Sequence, residues 1–132
     1  MVATSIEQSK KLFHLGLDPK TADMNWWGNE KIGVEYILDY IPYSKKSVYY
    51  SCIPAWSLDA LIEAIPKEID GNDFTMMYTS YGKGWFFGYA VFSDGYYEGL
   101  IHEVFGETKI DAAYKMACYL LEQGLIKKRR KR

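Results

Sequence analysis

Polar and apolar residues along the chain change period several times, and each change marks an element. Ile6, Leu12, Phe13 and Leu15 form a partial helical stripe. Thr4 and Glu7 stand at the T-x-x-E spacing of a capping box, so the pattern predicts a helix over 5–15, ended by Gly16. Asp18-Pro19 reads as a cap before a first-turn proline, and predicts a single short turn. The segment Met-Asn-Trp-Trp-Gly-Asn at 24–29 mixes large rings with turn formers and has no clear period. After it, Val34, Tyr36, Leu38 and Tyr40 alternate with Glu35, Ile37, Asp39 and Ile41, which predicts a strand ended by Pro42. Pro42 to Lys46 reads as a turn, and 48–53 as the second arm of a hairpin.

Helical spacing then returns. Ser57 stands at a cap position, and Leu58, Leu61, Ile62 and Ile65 share one face until Pro66 stops the helix. Asp70-Gly71-Asn72-Asp73, Tyr81-Gly82-Lys83-Gly84 and Ser93-Asp94-Gly95 carry turn chemistry. Between and after them lie strand patterns over 74–79, 85–92 and 96–105, read as a three-stranded meander. Gly106 breaks the last strand. Thr108 with Asp111 starts a final helix, with Ile110, Ala113, Tyr114, Ala117 and Leu121 on one face and Asp111, Lys115 and Glu122 on the other. Gly124 fits a left-handed cap, with Leu125 folding back on Leu120. The predicted order is α-β-β-α-β-β-β-α. The fold class is α+β, an antiparallel sheet of about five strands with three helices packed mainly on one face.

Size supports one domain over 1–126. A chain of 132 residues can bury roughly two-thirds of its unfolded surface without a covalent staple. Cys52 and Cys118 are far apart and form no C-x-x-C, so they read as small apolar residues in a reducing compartment. The start lacks a secretory pattern, and no run reaches the roughly 18 apolar residues of a membrane span. A cytoplasmic protein with no membrane partner is the expectation.

Two compositional features alter this picture. Aromatic residues reach 17%, with 12 Tyr among them, which favours half-exposed strands and binding faces. Charge is also uneven. Lys127, Lys128, Arg129, Arg130, Lys131 and Arg132 hold six of the 16 basic residues, leaving ten basic against 17 acidic ones elsewhere, a net −7. Residues 127–132 read as a disordered basic tail on an acidic body.

Candidate chemistry is sparse. Lys83-Gly84-Trp85-Phe86-Phe87-Gly88-Tyr89-Ala90 is similar in part to the RNA-recognition-motif signature, whose rings stack on bases. Phe86 stands where that motif has Gly or Ala, Gly88 where it has an aliphatic residue, and the element order differs. Sheet packing therefore explains Trp85, Phe87 and Tyr89 better than base stacking, which stays as the alternative. The tail can neutralise phosphates. His14 and His102 have no partners at metal-ligand spacing, so no metal or cofactor is expected. His14 suits the negative end of its helix. His102, with Glu98 four residues earlier, reads as a surface pair rather than an acid–base couple. Gly82-Lys83-Gly84 lacks phosphate-loop spacing, and Cys52 has no identifiable base. No catalytic residue is assigned.

Ile53-Pro54-Ala55-Trp56-Ser57-Leu58-Asp59-Ala60-Leu61, with its continuation through Ile65-Pro66-Lys67-Glu68-Ile69, gives the chain a first distinctive stretch. Ser5 to Lys10 and the close from Ile110-Asp111-Ala112-Ala113 to Leu125-Ile126 complete the pattern. Together these resemble small uncharacterised α+β proteins encoded in prophages and other mobile elements of gut bacteria. That resemblance implies a bacterial cytosol and an accessory role, with no established activity or site residues. The leading expectation is a non-enzymatic accessory domain with a protein partner or a second copy of itself. The alternatives are a nucleic-acid-binding protein using the tail and the Trp85, Phe87, Tyr89 face, and a small enzyme whose site includes His102.

Overall fold

Hydrogen bonding at the first helix start decides where that helix begins. In the computed structural model, which describes residues 2–40 and 51–129, α1 (Ile6–Leu15) is capped by Ser5, which accepts from the Gln8 N–H while Gln8 Oε1 accepts from the Ser5 N–H. The box lies one residue later than Thr4 and Glu7 predict, because Thr4 is engaged elsewhere. Its buried hydroxyl accepts from the Trp56 N–H at 3.1 Å and pairs with Ser9 Oγ at 2.7 Å. The Thr4 carbonyl accepts from Trp26 Nε1 at 3.0 Å. Gly16, at φ 103°, closes α1 as expected, and Asp18 caps the short 3-10 turn Pro19–Thr21.

The segment that gave no clear period is a strand. β1 (Met24–Asn29) is the centre of a three-stranded antiparallel sheet, between β2 (Val34–Asp39) and β3 (Ser51–Ala55). Trp26 faces Leu38 on one side and Ile53 on the other, and Trp27 faces Ile37 and Cys52. Large rings paired on both sides outweigh the poor strand propensity of Asn25, Gly28 and Asn29. The turn expected over 42–46 and the start of the strand expected over 48–53 lie outside the described residues; the described part, in β3, pairs with β1 and not with β2, so the two strands expected as arms of one hairpin flank β1 instead.

α2 (Leu58–Ala64) starts at Ser57, which accepts from the Ala60 N–H at 3.1 Å, and ends before Pro66. A second antiparallel sheet follows, in the order β4 (Glu68–Ile69), β5 (Asn72–Thr79), β6 (Gly84–Ser93) and β7 (Tyr96–Gly106). Asp70 and Gly71, both at positive φ, turn β4 into β5, and Asp94 and Gly95 do the same between β6 and β7. Such pairs suit tight hairpins because two successive left-handed residues match the strand twist.

The described strands therefore form two sheets, of three and four strands, rather than one sheet of about five. α3 (Lys109–Glu122), capped by Thr108, lies against β6 and β7, with α1 and α2 packed on it. α1 also packs on β3, so the helices form a layer that both sheets contact. This central place explains why α3 buries Ala112, Met116, Cys118 and Leu120 as well as Ile110, Ala113, Ala117 and Leu121 of the predicted stripe, with Tyr114 half-buried. Its end carries both Schellman bonds, Leu125 N–H to Leu120 O at 2.8 Å and Gly124 N–H to Leu121 O at 3.2 Å.

Candidate functional site

Residues directly opposite in a ladder share a face, so the register of the larger sheet sorts its rings. Phe74, Tyr89 and Ile101 stand in one row, Met76, Phe87 and Val104 in the next, and Tyr78, Trp85 and Gly106 in a third. These rows face α3. Phe87 and Tyr89 are 0% exposed and belong to the core cluster, with Phe74 edge-on to Phe87 at 5.5 Å. The base-stacking alternative for the Trp85, Phe87, Tyr89 face is thereby corrected: two of the three rings are enclosed by the helix layer. Trp85 is half-buried, with Tyr78 and the Lys109 ammonium over its ring.

The intervening positions form the other face. Phe86 pairs with Phe105 at 5.1 Å between ring centres, and Phe92 with Tyr97 at 5.8 Å. The Tyr97 hydroxyl donates to Met77 Sδ at 3.4 Å. Met77 lies opposite Phe86 and Tyr97 opposite Phe92, six positions further along β6. On a flat sheet that step spans roughly 20 Å. The β6–β7 hairpin must therefore curl over this face.

Two irregularities account for the bend. The register shifts between Phe87 and Tyr89, where His102 and Glu103 oppose Gly88 alone, and again between Val91 and Phe92, where Glu98 is the extra residue. Bulges of this kind bend a strand and increase its twist. The curl shelters Gly88 and Ala90. It leaves the hairpin end presenting Phe92 at 61%, Tyr96 at 77% and Tyr97 at 48% exposure, beside exposed Asp94 and Glu98.

None of these three rings is among the residues singled out from the sequence. The signal was the Asp94-Gly95 turn, which places Ser93 opposite Tyr96 and Phe92 opposite Tyr97. The bulges concealed it, since each shifts side-chain parity along β7.

The same bulge redirects His102. With φ at 55°, it occupies the left-handed region, which costs a residue with a Cβ on the order of 1 kcal/mol. Its Nδ1 lies 2.7 Å from the Tyr119 hydroxyl, and its ring meets Tyr89 edge-on. The expected pairing with Glu98 assumed unbroken alternation; with two register shifts in β7, His102 turns to α3 instead. It joins β7 to α3 between two tyrosines, a packing role. Burial pushes the Tyr89 phenol up to about 12, and its hydroxyl donates to Pro66 O at 2.7 Å.

The thiols are similarly quiet. Burial raises Cys118 above its usual range, partly offset by a hydrogen bond with Tyr114 and by Lys11. Burial raises Cys52 as well, with Asp39 adding to it. Both shifts favour the protonated form, the poorer nucleophile. Among the described residues, no three His, Cys, Asp or Glu side chains gather as metal ligands, and no helix is long and apolar enough to cross a membrane.

At the opposite side of the helix layer, residues 125–129 run back past the end of α1. The Arg129 N–H donates to Gly16 O at 2.7 Å, its guanidinium donates to Phe13 O and sits 3.8 Å from the centre of the Phe13 ring. Lys67 Nζ donates to Ile62 O at 2.8 Å near the end of α2. Cations there satisfy carbonyls at the negative poles of two helices. Of the tail, Lys127, Lys128 and Arg129 are described in this position, and 130–132 lie outside the described residues.

No protein-family model, no curated protein and no solved structure matches this chain.

Proposed function

We propose that the protein is a non-enzymatic interaction domain whose contact surface is the aromatic, acidic end of the β6–β7 hairpin, and whose partner is a protein with a basic surface. One observation carries the reading: Phe92, Tyr96 and Tyr97 stand exposed together beside Asp94 and Glu98. Rings of this kind supply large contact area at low entropic cost and are common anchors of interfaces. The partner's sign follows from charge. Residues 1–126 carry a net −7, from ten basic against 17 acidic residues, and the acids beside the rings continue that field, which would steer a cationic surface to the anchors.

Face docking is favoured over strand addition. β7 has bulges at Glu98 and at His102–Glu103 along its edge, and such breaks with charged side chains deter pairing with another strand. The accessory role implied by resemblance to prophage-encoded proteins agrees with this reading.

The test compares immobilised wild type with Phe92→Ser/Tyr97→Ser and Asp94→Lys/Glu98→Lys, in capture from bacterial lysate followed by affinity measurement on the purified partner. A basic protein should bind wild type, lose on the order of tenfold or more in affinity with the ring variant, and associate more slowly with the charge variant. A partner held equally by all three would refute the surface. A symmetric dimer of the wild type that the ring variant abolishes would assign the rings to self-association instead.

A further inference from the structure

A cleft of ≈ 1480 Å³ opens between the end of α1, the turn after it, the end of α2 and residues 125–129. Five cations line it, Lys20, Lys67, Lys127, Lys128 and Arg129, against two acids, Asp18 and Glu63. The lining therefore carries a net +3, supplied by Lys127, Lys128 and Arg129, since Lys20 and Lys67 balance Asp18 and Glu63. Bonds from Arg129 to Gly16 O and Phe13 O hold the start of the tail against the end of α1, so its cations share one cleft with Lys20 and Lys67.

Two of the cations are engaged with carbonyls at helix ends. Arg129 caps the carbonyls of Phe13 and Gly16, and Lys67 reaches Ile62 O. Lys20 and Lys127 line the cleft from exposed positions. These two are placed to meet a ligand, while Arg129 ties residues 125–129 to the end of α1 and Lys67 is engaged within its own wall. Apolar residues such as Leu17, Pro19 and Ile65 complete the lining, so the charges act beside a surface that repels no base or sugar.

We infer that this cleft binds the phosphate backbone of a nucleic acid, at a site separate from the hairpin end and independent of the strand face of Trp85, Phe87 and Tyr89. Concavity favours this over a membrane surface, which is flat and cannot enter a cleft. Lys20, Lys127 and Lys128, contributed by two separate segments of the lining, favour a chain of phosphates over a single one, since each phosphate neutralised releases its own counterions.

The experiment is fluorescence anisotropy of a labelled single-stranded oligonucleotide with the full chain, read across a salt series. Binding should weaken with salt, and Lys20→Gln/Lys127→Gln should weaken it further while lowering the log–log salt slope by roughly 0.7 per cation removed. Lys10→Gln/Lys31→Gln, whose cations lie away from the cleft, should bind as wild type. Both pairs sit on exposed or half-exposed positions, and far-ultraviolet circular dichroism confirms that each variant is folded. Equal losses in the two double variants would reduce the effect to general charge and overturn the cleft. So would unchanged binding in Lys20→Gln/Lys127→Gln. Equal competition by inorganic phosphate at matched ionic strength, or by anionic lipid vesicles, would overturn the nucleic acid as ligand. Because the hairpin variants leave the cleft untouched, failure here leaves the protein-partner reading standing, and the converse holds.

Discussion

Thr4 shows how a single hydroxyl can determine where an element starts. Its side chain serves Trp56 and Ser9 and its carbonyl serves Trp26, so the chain start is tied to β1 and to the end of β3 before α1 begins. Thr4→Val preserves shape and removes the hydroxyl, leaving a buried Trp56 N–H without its acceptor. The expected cost is about 1–3 kcal/mol, seen as a lower urea midpoint at unchanged slope. Ser5→Ala, which removes only the cap, should cost about 1 kcal/mol. A Thr4→Val protein more stable than the Ser5→Ala protein would show that the cap, and not the buried knot, holds this end. Caps were legible in the sequence where the local spacing was unambiguous, as at Ser57, Thr108 and Gly124. At Thr4 two adjacent hydroxyl residues competed for one role, and only the distant Trp56 backbone decides between them.

At the scale of elements, periodicity located most strands and helices, but faces and partners depended on features it does not encode. The order of α1, β2, α2, β5, β6, β7 and α3 follows from spacing and turns. β1 did not, because its stability comes from Trp26 and Trp27 pairing across two neighbours. β4 has two residues, too few to show a period. On β6 the favoured reading of Trp85, Phe87 and Tyr89 as sheet packing agrees with the enclosure of Phe87 and Tyr89 against α3, whereas the exposed rings lie beyond the second bulge. Gly106 illustrates a residue whose reason is tertiary. A Cβ there would stand 2.3 Å from Ala112 N and 2.7 Å from Ala112 Cα, backbone atoms of α3 that cannot rotate aside. Gly106→Ala should therefore destabilise by about 1–3 kcal/mol or more. A lowered melting temperature, with a changed near-ultraviolet signal from Trp85 directly opposite, would report the displaced junction. Retention of both would mean that β7 and α3 approach less closely than described.

For the whole molecule, the helix layer is what unites the two sheets that the described strands form. Tyr89 of β6 sits in the core beneath that layer, since its enclosed ring meets Phe74 and His102 while its hydroxyl reaches Pro66 after α2. That placement links one phenol to global stability. Burial raises its pKa from 10.0 to about 12, so the folded state disfavours the phenolate. Below pH 10 both folded and unfolded chains keep the proton, and the stabilisation is complete. Between pH 10 and about 12 the unfolded chain releases it and the folded chain does not, so stability falls as pH rises. Two units correspond to at most roughly 2–3 kcal/mol. Tyr114, also raised by burial, acts in the same direction. Tyr89→Phe should cost about 1 kcal/mol at neutral pH through the lost bond to Pro66 O, yet lose less stability than wild type between pH 10 and 12. Urea unfolding at a series of alkaline pH values would show the two curves converging. Parallel curves would mean that the Tyr89 phenol ionises as readily in the folded protein as in the unfolded one, and that the layer is less closed around it than its burial indicates.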